Sequence, residues 1–133
     1  MRLLVLATLF PVFSLVVQTK QTKWQEIGKT GIGNPVLVDP KSVKKDTAGI
    51  ITATLRVAFV KPVATPNGPI TSSRTVAMFD CKKQVVAVKE NTYYHDEKTN
   101  RIYQHSAPGK PGFGPAIKAT LPDVALQYLC SKK

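Results

Sequence analysis

The sequence predicts an α+β domain: an antiparallel sheet of about six strands, with one C-terminal helix packed on one face and tethered there by a disulfide. Three observations predict it. Segments in which apolar and polar side chains alternate recur between residues 23 and 106, the pattern of strands with one covered face and one wet face. A single stretch with helical spacing, "TLPDVALQYLC", lies close to the end of the chain. The two cysteines, Cys81 and Cys130, fall on a strand and at the end of that helix. With 133 residues the chain has room for one core and one domain.

The opening "MRLLVLATLFPVFSLVVQTK" carries one basic residue, Arg2, before a mostly apolar run from Leu3 to Val17 that Pro11 interrupts. A membrane span needs roughly 20 apolar residues, so residues 1–18 read as a secretory signal or, in the alternative, a retained N-terminal anchor. Residues 19–133 form the single domain. No cysteine follows the apolar run to accept a lipid.

"KWQEI", Lys23 to Ile27, is a short strand with Trp24 and Glu26 on one face, and the glycine-rich "GKTGIGNP" that follows is turn material. A strand from Val36 to Val38 ends at Asp39, whose carboxylate is placed to accept N–H bonds of a helical turn begun by Pro40. The clearest strand is Ile50 to Val63: Ile51, Ala53, Leu55, Val57 and Phe59 face the core, and Thr52, Thr54, Arg56 and Ala58 face water. "KPVATPNGPITSS" returns the chain to a strand from Arg74 to Cys81, on which Thr75, Ala77, Phe79 and Cys81 share the inward face. "QVVAVKENTYYHD" and "RIYQHSA" are the last two strands, joined through "DEKTN". Setting His95 opposite Arg101 pairs Tyr93 with Tyr103 and Asn91 with His105. After the Gly/Pro loop "APGKPGFGP", Thr120 is the predicted helix cap, and Leu121, Val124, Ala125, Tyr128 and Leu129 form the apolar face.

Export bears on the cysteines. In an oxidising compartment two cysteines in a small domain usually pair, whereas a structural zinc site wants four ligands and a redox pair sits as Cys-x-x-Cys. Cys81 and Cys130 are therefore read as a staple. Closing a loop of about 50 residues stabilises by roughly 4 kcal/mol in the chain-entropy model.

Chemistry is poorly supplied. There are two histidines, His95 and His105, no Gly-x-Ser-x-Gly elbow, and no thiol once the cysteines are bonded. "HDE" with His105 offers metal ligands, but such residues at a hairpin tip are ordinarily there for solvation. "GKTGIG" lacks the Lys-Ser/Thr of a phosphate loop and precedes no helix. The sequence thus predicts no enzyme, no cofactor and no metal. Binding suits the composition better: Lys+Arg number 19 against 8 Asp+Glu, a formal net charge of +11, which attracts polyanions. The candidate binding surface is the last hairpin, with Tyr93, Tyr94, Lys98, Arg101, Tyr103 and His105, where tyrosines offer rigid area and the cations offer anion contacts.

The order of features resembles the bacterial surface-adhesin protein E family. It comprises Trp24, the Asp-x-x-Ser of Asp39 to Ser42 followed by Val43 and Lys44, the tripeptide Phe79-Asp80-Cys81, Pro108-Gly109, and a terminal helix closing in Leu129-Cys130. Trp24, Asp39, Ser42 and Phe79 are framework positions in this comparison. The chain departs from the family in having an aliphatic residue, Leu37 or Val38, ahead of the Asp-x-x-Ser, and no tryptophan near Pro108. The resemblance implies an exported protein of the periplasm, outer surface or medium that binds acidic host matrix or serum proteins or envelope components. Self-association or docking on an envelope or membrane complex as an accessory subunit is the other outcome the sequence leaves open, and sequence-specific nucleic-acid binding is not expected.

Overall fold

A computed structural model describes residues 23–131, together with Pro11. The expected signal segment, residues 1–18, lies outside the described residues apart from that proline. The elements are β1 (Gln25–Lys29), β2 (Pro35–Val38), a 3-10 turn (Pro40–Ser42), β3 (Lys44–Lys45), β4 (Ile50–Val63), β5 (Ile70–Asp80), β6 (Val85–Asp96), β7 (Arg101–Ser106), β8 (Gly114–Pro115) and α1 (Leu121–Ser131). Six strands follow one another across the sheet in the order β1-β2-β4-β5-β6-β7, with the two-residue strands β3 and β8 attached to β4 and β6. Every pairing is antiparallel, so the predicted fold class holds.

The alternation in β4 and β5 sets the two faces. Ile51, Ala53, Leu55 and Val57 on β4, and Thr75, Ala77 and Phe79 on β5, are buried on the inner face. Against them α1 lays Ala125, Leu126 and Leu129. Leu126 completes the helix's buried arc and falls outside the apolar face predicted from the sequence, because side chains one position apart on a helix still lie within a 100° sector. Fully burying a leucine contributes about 1.5–3 kcal/mol, so Leu126 and Leu129 alone hold much of the helix. Gly28 allows the close approach: a Cβ there would meet Val124 Cγ1 at 2.8 Å. Cys81 and Cys130 are bonded, 49 residues apart in sequence and 5.5 Å between Cα atoms.

The Asp39 turn behaves as read. Asp39 Oδ1 accepts the Lys41 N–H at 3.2 Å. Ser42 Oγ donates to the Asp39 carbonyl at 2.6 Å and accepts the Thr54 N–H at 2.9 Å, which binds the turn to β4.

Four expectations are corrected. β1 begins at Gln25 rather than Lys23 and runs to Lys29, its register against β2 shifting between Glu26 and Gly28 while Ile27 packs against the core. β5 begins at Ile70 rather than Arg74, because Ser72 and Ser73 continue the ladder against β4 and β6 and Ile70 pairs with Val63. Thr120 does not cap α1 through its hydroxyl, which donates to the Ile117 carbonyl at 2.6 Å; Asp123 reaches back to accept the Ala119 N–H at 2.8 Å instead. The β6–β7 register is one residue away from that expected over most of its length, pairing Asn91 with Ser106, Thr92 with His105, Tyr93 with Gln104 and Asp96 with Arg101, with irregularities on both sides of Tyr94.

Candidate functional site

That register divides the predicted binding residues between the two faces. Tyr93 turns inward, into a groove of about 600 Å³ beyond the N-terminal end of α1. Val57, Phe59 and Val88 form its apolar floor, Ile32 and Lys118 stand at its rim, and Thr75 Oγ1 donates to Asn91 Oδ1 at 2.7 Å within it. Tyr94 turns outward, with its ring 5.8 Å from the guanidinium carbon of Arg74. Lys98 lies in the hairpin turn, where its backbone N–H donates to Asp96 Oδ1 at 3.0 Å. Arg101 opens β7 and is exposed. The Tyr103 ring meets His95 edge-on at 5.5 Å, and the His95 Nδ1 lies 2.8 Å from the Pro69 carbonyl. His105 Nδ1 is 2.8 Å from Thr92 Oγ1, and its Nε2 lies 3.7 Å from Glu90. The six residues therefore do not converge on one patch. Among the described residues, no three His, Cys, Asp or Glu side chains gather as metal ligands.

The outer face carries the denser polar constellation. One row of paired residues crosses the whole sheet: Glu26, Leu37, Arg56, Arg74, Thr92 and His105. Arg56 and Arg74 stand directly opposite each other on β4 and β5, and like charges at that spacing repel. Glu97 resolves the conflict. It belongs to the turn after β6, which folds back over the outer face so that Glu97 Oε1 accepts Arg56 Nε–H at 2.6 Å and Oε2 accepts Arg74 Nε–H at 3.0 Å. Burial works against ionisation of Glu97, but the Ser72 hydroxyl and the two arginines outweigh it and hold its carboxyl below the ordinary value of 4.5. The Ser72 hydroxyl lies buried in this region without an ordinary hydrogen bond, and it still leans the carboxyl toward the charged form. The Trp24 ring lies 5.3 Å from the Arg74 guanidinium carbon, so the cation is in reach of both the Trp24 and Tyr94 rings. Lys23 flanks Trp24 at 5.3 Å and pairs with Asp39 at 3.4 Å.

Spacing along the sequence does not reveal this cluster. Arg56 reads as one wet-face residue among several, and Glu97 lies 41 residues from it in a turn whose fold-back no local signal announces. The available signal is two arginines on the wet faces of consecutive strands.

A family model described as Surface-adhesin protein E matches residues 24–131. Among solved structures, crystal form II of Haemophilus influenzae protein E is similar at 15% identity, covering 85% of this chain and 91% of that one with a TM-score of 0.56. Protein E from non-typeable Haemophilus influenzae is similar at 15% identity, with 86% and 79% covered and a TM-score of 0.52. At that identity the likeness is one of fold. No curated protein sequence matches the chain.

Proposed function

The chain belongs to the Surface-adhesin protein E family, and from that membership we propose that it is an exported, non-enzymatic binding protein that holds acidic partners, of matrix or envelope type, at the cell surface. The observation that carries the reading is the combination of this family with a formal net charge of +11. Export fits the apolar leader of residues 1–18. The bonded cysteines fit an oxidising compartment. A scaffold whose inner face is largely occupied by its own helix keeps its contacts for the hairpin, the sheet edges and the outer face, where Tyr94, Lys98, Arg101, Tyr103 and His105 add area and charge.

Charge-driven association is screened by salt, with a Debye length of about 30 Å at 0.01 M falling to about 8 Å at 0.15 M. The purified chain is therefore expected to bind immobilised matrix proteins or sulfated polyanions at low ionic strength and to be released as salt rises. Surface plasmon resonance across a salt series measures this. Failure to bind any of them at low ionic strength contradicts the proposal.

A further inference from the structure

We propose that Arg56 and Arg74 form an oxyanion-binding site on the outer sheet face, which takes the sulfate or carboxylate groups of an acidic glycan. The inference rests on the reading of the protein as a binder of acidic partners and deepens it to a site and a ligand class. The geometry supplies two reasons. Glu97 engages both arginines only through their Nε–H groups, and among the described residues no hydrogen bond is made to the terminal nitrogens of either fork. These outer nitrogens are the pair that grips an oxyanion in two-point fashion. Both guanidiniums are also held in place, Arg74 by its 3.0 Å bond to Glu97 and its contacts with the Trp24 and Tyr94 rings, and Arg56 by its 2.6 Å bond to Glu97. Less side-chain freedom is then lost when a ligand arrives.

Charge and shape indicate the class. Two guanidiniums share one carboxylate, so the cluster keeps an excess positive charge, and the Arg56 and Arg74 side chains remain 26% and 41% exposed. The site is a row rather than a pocket. Adjacent strands lie about 4.8 Å apart, so Arg56, Arg74, the buried Thr92 and His105 line up across the strands, with the Glu26 carboxylate at the β1 end of the row and Glu90 3.7 Å from His105. The Trp24 ring stands beside Arg74, with Lys23, already paired to Asp39, flanking it. A linear chain with repeating anionic groups and sugar faces matches that line better than a folded acidic protein, which would need a broader complementary surface.

Isothermal titration of a heparin octasaccharide into the full chain at low ionic strength tests the site. A hyaluronan octasaccharide, with carboxylates alone, and a decaglutamate peptide serve as comparison probes. The R56K/R74K variant keeps the net charge and still offers Glu97 a cation, yet loses the fork, and is expected to bind heparin octasaccharide about fivefold or more weakly. K82Q/K83Q, which removes two charges from the β5–β6 turn, is expected to weaken it by about twofold or less. Tighter binding of heparin than of hyaluronan assigns sulfate and equal binding assigns carboxylate, and both support the site. In the unmodified protein, the octasaccharide is expected to protect Arg56 and Arg74 from phenylglyoxal while Arg101 stays reactive, a readout that does not depend on how the variants fold. Unchanged affinity in R56K/R74K, or equal protection of all three arginines, overturns the site and leaves a diffuse basic surface standing. Decaglutamate binding as tightly as heparin overturns the glycan class. No binding of any probe by the unmodified chain overturns both the site and the function on which it rests.

Discussion

Glu97 is the residue on which the outer face turns. Without its carboxylate, Arg56 and Arg74 face each other across one strand spacing with nothing between their charges. Because its pKa in the fold lies below the ordinary 4.5, ionised Glu97 favours the folded state. That stability is fully present above about pH 4.5 and is lost as the pH falls through the lower folded value. Glu97→Gln is accordingly expected to destabilise by about 1 kcal/mol at neutral pH, the low end for a charge-assisted network whose arginines meet solvent. Thermal melts at stepped pH measure it. Below about pH 4 the difference between variant and parent should shrink, whereas a constant gap across the range contradicts the assigned role. The Asp39 turn is legible at this scale, since its carboxylate accepts the Lys41 N–H as a cap should. The Arg56–Glu97–Arg74 bridge is not legible, because it joins three elements whose meeting depends on the path of a turn.

At the scale of elements, the decisive pair is α1 and the sheet. The helix buries three side chains, Ala125, Leu126 and Leu129, and the Cys81–Cys130 bond holds its end to the edge of that core. Replacing both cysteines by serine is expected to lower stability by about 2–4 kcal/mol, seen as an earlier denaturant midpoint. An unchanged midpoint would show that helix packing alone suffices. Strand identity is readable wherever one face is dry. β4 and the inner face of β5 alternate cleanly, and Phe79 and Leu55 are fully buried as their positions require. The β6–β7 pairing is not readable. All six residues of β7 are exposed, so no burial pattern fixes which register wins, and the register shifts twice around Tyr94.

For the whole molecule, the mismatch between helix and sheet matters most. The 11 residues of α1 span roughly 16 Å, while six strands span roughly 24 Å. One helix therefore leaves part of the inner face uncovered, and the groove around Phe59 and Tyr93 opens there. The outer face has no covering helix at all among the described residues. The sequence already contains the division into one dry and one wet face, the single helix and the staple. Which wet residues gather into a site depends on sheet curvature and turn placement, and these follow from the assembled molecule. If the proposed site is right, binding takes place on the outer face while the helix-covered face holds the fold together. A backbone and arginine side-chain NMR titration with heparin octasaccharide separates the two faces. Shifts are expected at Arg56, Arg74, Thr92 and His105, with Ala125, Leu126 and Leu129 still; shifts centred instead on Phe59, Tyr93 and the start of α1 would contradict the site.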